Sequence, residues 1–375
     1  MADVAYVRAR SGPTLPPPLM RRGPVGWARA NLFSSRLSSA ATLAIFALCA
    51  WALPELFVWA VTRAVWSAPD GALCRAHQDG ACWAFIAHKL DYFRYGSYPQ
   101  GQRWRVDSVE AIGAVLIVWL LWPRAPRRGF AAVLFFIVYP IVGFVLLHGA
   151  VSLRLPLVDS QLWGGVFVSL LTALVGIVFS LPIGVLLALG RRSRLPVVKA
   201  ASVVFIECVR GVPFIAVLFM AENMLPLFLP LGWMLDRFLP PLVGTVLFAA
   251  AYLAEEVRGG LQALPRGQYE GAQALGLGYW RMTGLVILPQ ALALVIPGIV
   301  NNFIGLFKDT TLVASVGMFD FLAAIDNSFK DPAWSGPTLL TTGYAFAALF
   351  YFVFCYGMSR YSAAIERRLA PGKRQ

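Results

Sequence analysis

The sequence predicts an all-α membrane protein with about eight transmembrane helices, and three observations carry that expectation. The chain is 58% hydrophobic and only 14% charged, with a mean hydropathy of +0.67, more apolar than a soluble core of this size sustains. Several apolar windows are long enough to cross the ~30 Å of bilayer hydrocarbon. The arginines cluster between those windows, so the net charge of +13 reports topology rather than a polyanionic partner such as nucleic acid.

In chain order the apolar spans lie near 41–62, 109–122, 130–149, 163–189, 202–222, 241–260, 285–306 and 338–359. The second is the weakest. It is shorter than the ~20 residues a spanning helix needs, it contains Glu110, and a start nearer Trp104 would lengthen it. Dropping it would change the parity of everything downstream and place Arg191, Arg192 and Arg194 outside, against the positive-inside rule. With eight spans, five segments are inside: the tail with Arg8, Arg10, Arg21, Arg22, Arg29 and Arg36, the Arg124/Arg127/Arg128 turn, the 191–199 loop, the segment near 270, and the end with Arg367, Arg368, Lys373 and Arg374. Both termini are then cytoplasmic. Residues 1–39, with Pro16–Pro18 and scattered Arg, read as a disordered or surface-lying tail, and the first span as an uncleaved anchor.

Between the first two spans, residues 63–108 form an outside loop that is polar and aromatic (Trp83, Tyr92, Tyr95, Trp104). Cys74 and Cys82 face an oxidising compartment there and enclose a short loop. Two readings stand, a disulfide or two free thiols, because spacing does not give the Cα separation. Cys49, Cys208 and Cys355 sit in apolar stretches and read as packing residues. Three scattered His give no metal-ligand spacing, and no P-loop, dinucleotide turn or nucleophile elbow is present. The expectation is a chain that is not an enzyme, with no catalytic, cofactor-binding or metal-binding residues of its own.

A short polar island separates two apolar stretches: Glu270-Gly271-Ala272-Gln-Ala-Leu-Gly276, followed by an apolar residue, x, Leu288 and Pro289. A short helix with an Ala/Gly face can lie in a cleft on a soluble partner, since small residues admit close backbone approach. The pattern resembles the loop by which membrane subunits of ATP-binding-cassette (ABC) importers grip their ATPase. Three further strings extend the likeness over about 163–362: Glu207-Cys-Val-Arg210-Gly211-Val-Pro213, then Ala251-Tyr252-Leu-Ala-Glu255-Glu-Val-Arg258-Gly259-Gly260-Leu261, then Lys308-Asp309-Thr310-Thr311-Leu312. Together they resemble the five-helix type I permease core of polar amino-acid ABC importers. The three helices and outside loop before residue 163 resemble permeases of general L-amino-acid or glutamate/glutamine/aspartate/asparagine systems. Three positions depart from the pattern: Gly271 stands where Ala is usual, Val286 fills an Ile slot, and Glu256 adds an acid where an apolar residue is usual. Glu256 has two candidate settings, the membrane surface near Arg258 or contact with a partner subunit.

The resemblance implies a permease subunit in a bacterial inner membrane, moving polar L-amino acids from periplasm to cytoplasm. Its parts are a tail at 1–39, an extension at 40–162 with the periplasmic loop 63–108, the permease core at 163–362, and a tail at 363–375. The implied partners are a homologous second permease, ABC ATPase subunits that bind ATP and Mg, a periplasmic amino-acid-binding protein, and the lipid membrane, with no nucleic acid. The alternatives are the same importer class for another small solute, or an ATP-independent secondary transporter, which would need inverted repeats that the two halves do not display. The charges within the apolar chain mark the candidate path. Glu207 and Arg210 share a helical face at a spacing that permits a pair, either as a structural ion pair or as the border of the gate beside Gly211 and Pro213; Glu255 joins them as a gate candidate. Lys308, Asp309 and Thr310 offer the cation, anion and hydroxyl that a zwitterion needs, or else a water-exposed helix end. Asn301 and Asn302 read as cavity residues or as interhelical hydrogen-bond partners.

Overall fold

Each of the eight expected spans has helix beneath it. The computed structural model describes residues 23–122, 124–228, 230 and 236–369; the basic and proline-rich residues expected in the tails before 23 and after 369 lie outside the described residues. Two compact units are present, one of residues through Val65 with His77–Ala81, the other of Trp66–Ala76 with Cys82 onward.

The first unit holds α1 (Gly23–Asn31) and α2 (Arg36–Phe57), which runs on in π geometry through Thr62. Ser35 starts α2 by accepting the Ser38 amide, as an N-cap serine does, and the Ser38 and Thr42 hydroxyls both donate to Leu32 O. No residue of α2 is buried. Phe46 and Trp51 are each 71% exposed, a surface compatible with hydrocarbon rather than water.

The second unit opens with α3 (Ala72–Ala76) and α4 (Trp83–Tyr95), then α5 (Arg103–Leu121), α6 (Arg128–Val133) and α7 (Tyr139–His148). The segment expected as an outside loop is therefore largely folded. Cys74 and Cys82 are disulfide-bonded with Cα atoms 5.8 Å apart. Phe85 and Phe93 of α4 are fully buried. The second span gains length by starting at Arg103, and Glu110 accepts Arg94 Nη2 at 3.1 Å, so its acid is paired. Buried Arg105 donates to Pro156 O, closing the extension on itself.

The remaining elements are α8 (Val166–Arg191), α9 (Pro196–Arg210), α10 (Phe214–Met224), α11 (Leu239–Ala263), α12 (Arg266–Ala274), α13 (Tyr279–Met282), α14 (Leu288–Asp309), α15 (Phe321–Ser328) and α16 (Pro337–Leu369). The one sheet among the described residues pairs Gly164–Gly165 with Phe319–Asp320 in parallel, Gly164 opposite Phe319 and Gly165 opposite Asp320. Small residues set the closest helix approaches: a Cβ on Gly184 of α8 would crowd Leu253 and Ala250 of α11, and one on Gly260 of α11 would meet Ala291 O of α14. α4 closes over α15 and α16 through the aromatic contacts Phe93–Phe321 and Phe93–Phe346. Further ties are Asn327 Nδ2 donating to Tyr92 Oη at 2.8 Å and a Lys89–Asp331 ion pair.

Among the described residues, five helices are long and apolar enough to span a membrane, or six if the bent pair Pro196–Arg210 and Phe214–Phe228 counts as one. α5 and α11, which carry more charge, complete the eight. Two expectations are corrected. The span 202–222 is not straight: α9 and the following helix meet at 113° across Gly211-Val-Pro213, because proline removes a helical donor and clashes with the preceding turn. Cys49 and Cys208 are exposed and Cys355 half-buried, so two of these thiols do not pack inside the chain.

Candidate functional site: the helix 266–274 and the charged end of the bundle

Pro265, at φ −58°, leads into α12, and Gly276 ends it. The amide of Leu277 donates to Ala272 O at 3.2 Å and that of Gly276 to Gln273 O at 2.9 Å, the paired bonds of a Schellman stop. Gly276 sits at φ +71° with open space where a side chain would stand. Its necessity is conformational, where the sequence suggested close approach. Leu288 and Pro289 then start α14, Pro289 occupying the first turn, where a missing N–H costs nothing.

α12 divides its surface sharply. Ala272 is buried and Tyr269 half-buried, both against a core of Ala188, Ile206, Val257, Leu261 and Met282. Glu270, Gly271, Gln273 and Ala274 are exposed. Leu275 is 81% and Trp280 72% exposed, so an apolar patch flanks the free Glu270 carboxylate.

Two ties fix α12 to the helices. Arg192 Nη1, just past the end of α8, donates to Tyr269 Oη and to Leu261 O, each at 3.0 Å; the Tyr269 hydroxyl itself donates to Leu261 O at 2.9 Å. Gln290 Nε2 of α14 donates to Gln268 Oε1 at 3.0 Å. These bonds join α12 to the end of α8, to α11 and to α14.

Deeper lies a cluster around Glu255. Its carboxylate meets Arg258 at 2.7 Å, Arg191 at 3.0 Å and Arg210 at 3.7 Å, while Glu207 pairs with Arg191 at 2.7 Å. The Glu207–Arg210 pair expected from spacing is not among these bonds. Shared helical face allows a pair, but each side chain has its partner on a neighbouring helix, Glu207 with Arg191 and Arg210 with Glu255, and Arg210 also lies over the Tyr252 ring. The cluster joins α8, α9 and α11 at the end of the bundle nearest α12. Arg191 and Arg192 are the residues sequence reasoning missed here, having been read only as topological charge.

Lys308, Asp309 and Thr310 stand at the far end of α14, about 30 Å from its start by helical rise. Lys308 is exposed and Asp309 half-buried. Thr310 is buried and its hydroxyl donates to Phe307 O, so it secures the turn into the following 3-10 segment. Among the described residues no group of three His, Cys, Asp or Glu is placed to hold a metal.

The family model described as "Binding-protein-dependent transport system inner membrane component" matches residues 180–371. The chain is 48% identical over 92% of its length, and 93% of the relative's, to the inner membrane amino-acid ABC transporter permease protein YhdY of Escherichia coli strain K12. It is 40% identical over 98% of its length, and 99% of the relative's, to the glutamate/glutamine/aspartate/asparagine transport system permease protein BztC of Rhodobacter capsulatus. Among solved structures, an amino acid ABC transporter with histidines aligns at 27% identity and TM-score 0.47, covering 54% of this chain and 92% of that one.

Proposed function

The chain belongs to the family of binding-protein-dependent transport system inner membrane components, and from that footing we propose that it carries polar L-amino acids from periplasm to cytoplasm. It is a permease subunit of an ABC importer. Substrate class is supported by the two relatives, one named for amino acids and the other for glutamate, glutamine, aspartate and asparagine.

The observation that carries the mechanism is the divided surface of α12. One side is tied to three helices, and the other presents Glu270, Gly271, Ala274 and Leu275 outward. This is the geometry of a docking element, and its partner is the ABC ATPase, which binds ATP and Mg. Closure of the ATPases on nucleotide pushes α12, and the Arg192–Tyr269–Leu261 and Gln268–Gln290 bonds pass that displacement to the bundle. The Glu255 cluster, at the same end, is a gate whose ion pairs exchange partners as the cavity changes sides. Lys308 and Asp309, at the opposite end, meet the substrate on the periplasmic side. The five-helix core encloses a path only with a homologous second permease related by a pseudo-twofold axis, and a periplasmic binding protein delivers the substrate. The basic segments between the spans support an orientation with both termini in the cytoplasm.

The test is reconstitution of the complete complex in proteoliposomes, with ATP enclosed, the binding protein outside and a panel of amino acids. Uptake of polar amino acids that requires ATP is expected; equal uptake without ATP, or uptake of none of the panel, would refute the proposal.

A further inference from the structure

One seam of the bundle holds a carboxylate that the mechanism above does not use. Glu256 of α11 reaches α14 at Gly298, where a Cβ would collide with its carboxylate. Asn302, one turn along, donates to Gly298 O at 3.0 Å and stands 3.4 Å from Glu256 Oε1. Glu256 lies seven residues before Ala263, the last of α11, about 10 Å along the helix axis. Gly298 lies ten residues past Leu288, the first of α14, about 15 Å along that helix. The group thus lies about two turns in from the end of α11 and about three from the start of α14.

Its surroundings are unlike those of Glu255 next to it. Glu255 gathers three arginines, whereas Glu256 enters no ion pair among the described residues, and one long hydrogen bond leaves most of its roughly four acceptor sites unused. Nor is it sealed. Glu256 and Asn302 are half-buried, and Gly305, further along the same face, has open space where a side chain would stand. Gly298, Asn302, Gly305 and Asp309 follow at steps of four, three and four residues, which places them on one face of α14. A charge half-buried between apolar helices is costly unless water, a partner or a ligand meets it.

We infer that Glu256, seated on Gly298 and steadied by Asn302, is a recognition point for the ammonium group of the solute as it passes along this face of α14. An ammonium brings three donors and a carboxylate accepts them in charge-assisted bonds, while the Asn302 amide oxygen adds a neutral acceptor. A carboxylate solute lacking the amino group meets repulsion there, so the site discriminates. The inference rests on the amino-acid permease reading.

The experiment compares wild type, Glu256→Gln and Gly298→Ala in the complete reconstituted complex with glutamate, glutamine, aspartate and asparagine. Glutamine keeps the shape of the side chain and still accepts from Asn302, so a purely packing role leaves transport unchanged. Gly298→Ala displaces the flexible end of Glu256 rather than backbone. The expected result is about a tenfold fall in uptake per ATP hydrolysed for Glu256→Gln, equivalent to roughly 1.4 kcal/mol, and a smaller fall for Gly298→Ala. Subunit copurification and ATPase stimulation by loaded binding protein are expected to persist. Unchanged uptake per ATP in both variants overturns the inference, and so does loss of copurification in Glu256→Gln, which would make the residue an assembly contact. Failure of wild type to carry any of the four refutes the amino-acid reading itself, and wild type is measured first.

Discussion

The Tyr269 hydroxyl and the Arg192 guanidinium lie 3.0 Å apart, so the helix that carries Glu270 is bonded to the end of α8. Tyr269→Phe removes that contact and the bond to Leu261 O while keeping the ring. A neutral hydrogen bond contributes about 1 kcal/mol and one to a charged group more, so the loss of both is at least roughly a fivefold change in an equilibrium. The expected outcome is an intact complex with basal ATPase activity whose uptake per ATP falls about that much. Uptake per ATP equal to wild type would remove Tyr269 from the transmission path.

Asp320 is fully buried and caps α15 through the amides of Leu322 and Ala323. Burial outweighs those bonds and pushes its carboxyl up to about 6. A raised folded-state value means that the contribution of this group to stability is complete below the usual carboxylate range and is lost as pH rises through about 6. Asp320→Asn cannot ionise. Its thermal stability relative to wild type is therefore expected to improve from about pH 4 to pH 7, measured on the purified complex; a pH-independent difference would contradict the buried-charge reading.

The disulfide gives a test of sidedness. An impermeant thiol reagent applied to intact cells should label neither Cys74 nor Cys82 until a reductant is added. Labelling before reduction would refute the bond in the native protein; because both residues are buried, protection after reduction would refute the periplasmic placement of the segment only where opening the membrane then exposes them to the reagent.

At the two ends of the path the expected phenotypes differ. Asp309→Asn should lower uptake strongly while assembly and ATPase stimulation by the loaded binding protein persist. Glu255→Gln leaves Arg191, Arg210 and Arg258 without their shared anion, a loss on the order of 3 kcal/mol for a largely buried group, and should lower the yield of detergent-stable complex. Unchanged uptake kinetics for Asp309→Asn would return it to a simple helix end.

The sequence made the order of elements legible because hydropathy and charge act locally. Pro213 and Gly211 marked a break, yet the angle of 113° depends on how α10 packs against α11, which no local pattern encodes. Glu207 and Arg210 lay on a common face, but their partners come from α8 and α11. The segment 63–108 read as a loop because the partners that bury it lie far along the chain: Phe85 packs against Phe329 and Trp334, between α15 and α16, and Phe93 against Phe321 and Phe346 of those helices. Glu256 was visible as an anomaly and acquired a place only once Gly298 and Asn302 stood beside it.

The docking role of α12 is tested most directly by copurification of the ATPase with wild type, Glu270→Ala and Gly276→Asp. Gly276→Asp forces a non-glycine residue to φ +71°, at about 1 kcal/mol or more, and Glu270→Ala removes the exposed carboxylate without touching the fold. Both variants are expected to insert in the membrane and pair with the second permease, yet to lose ATPase and ATP-dependent uptake together. Full ATPase recovery and normal uptake in both variants would contradict the assignment of residues 266–274 as the docking helix.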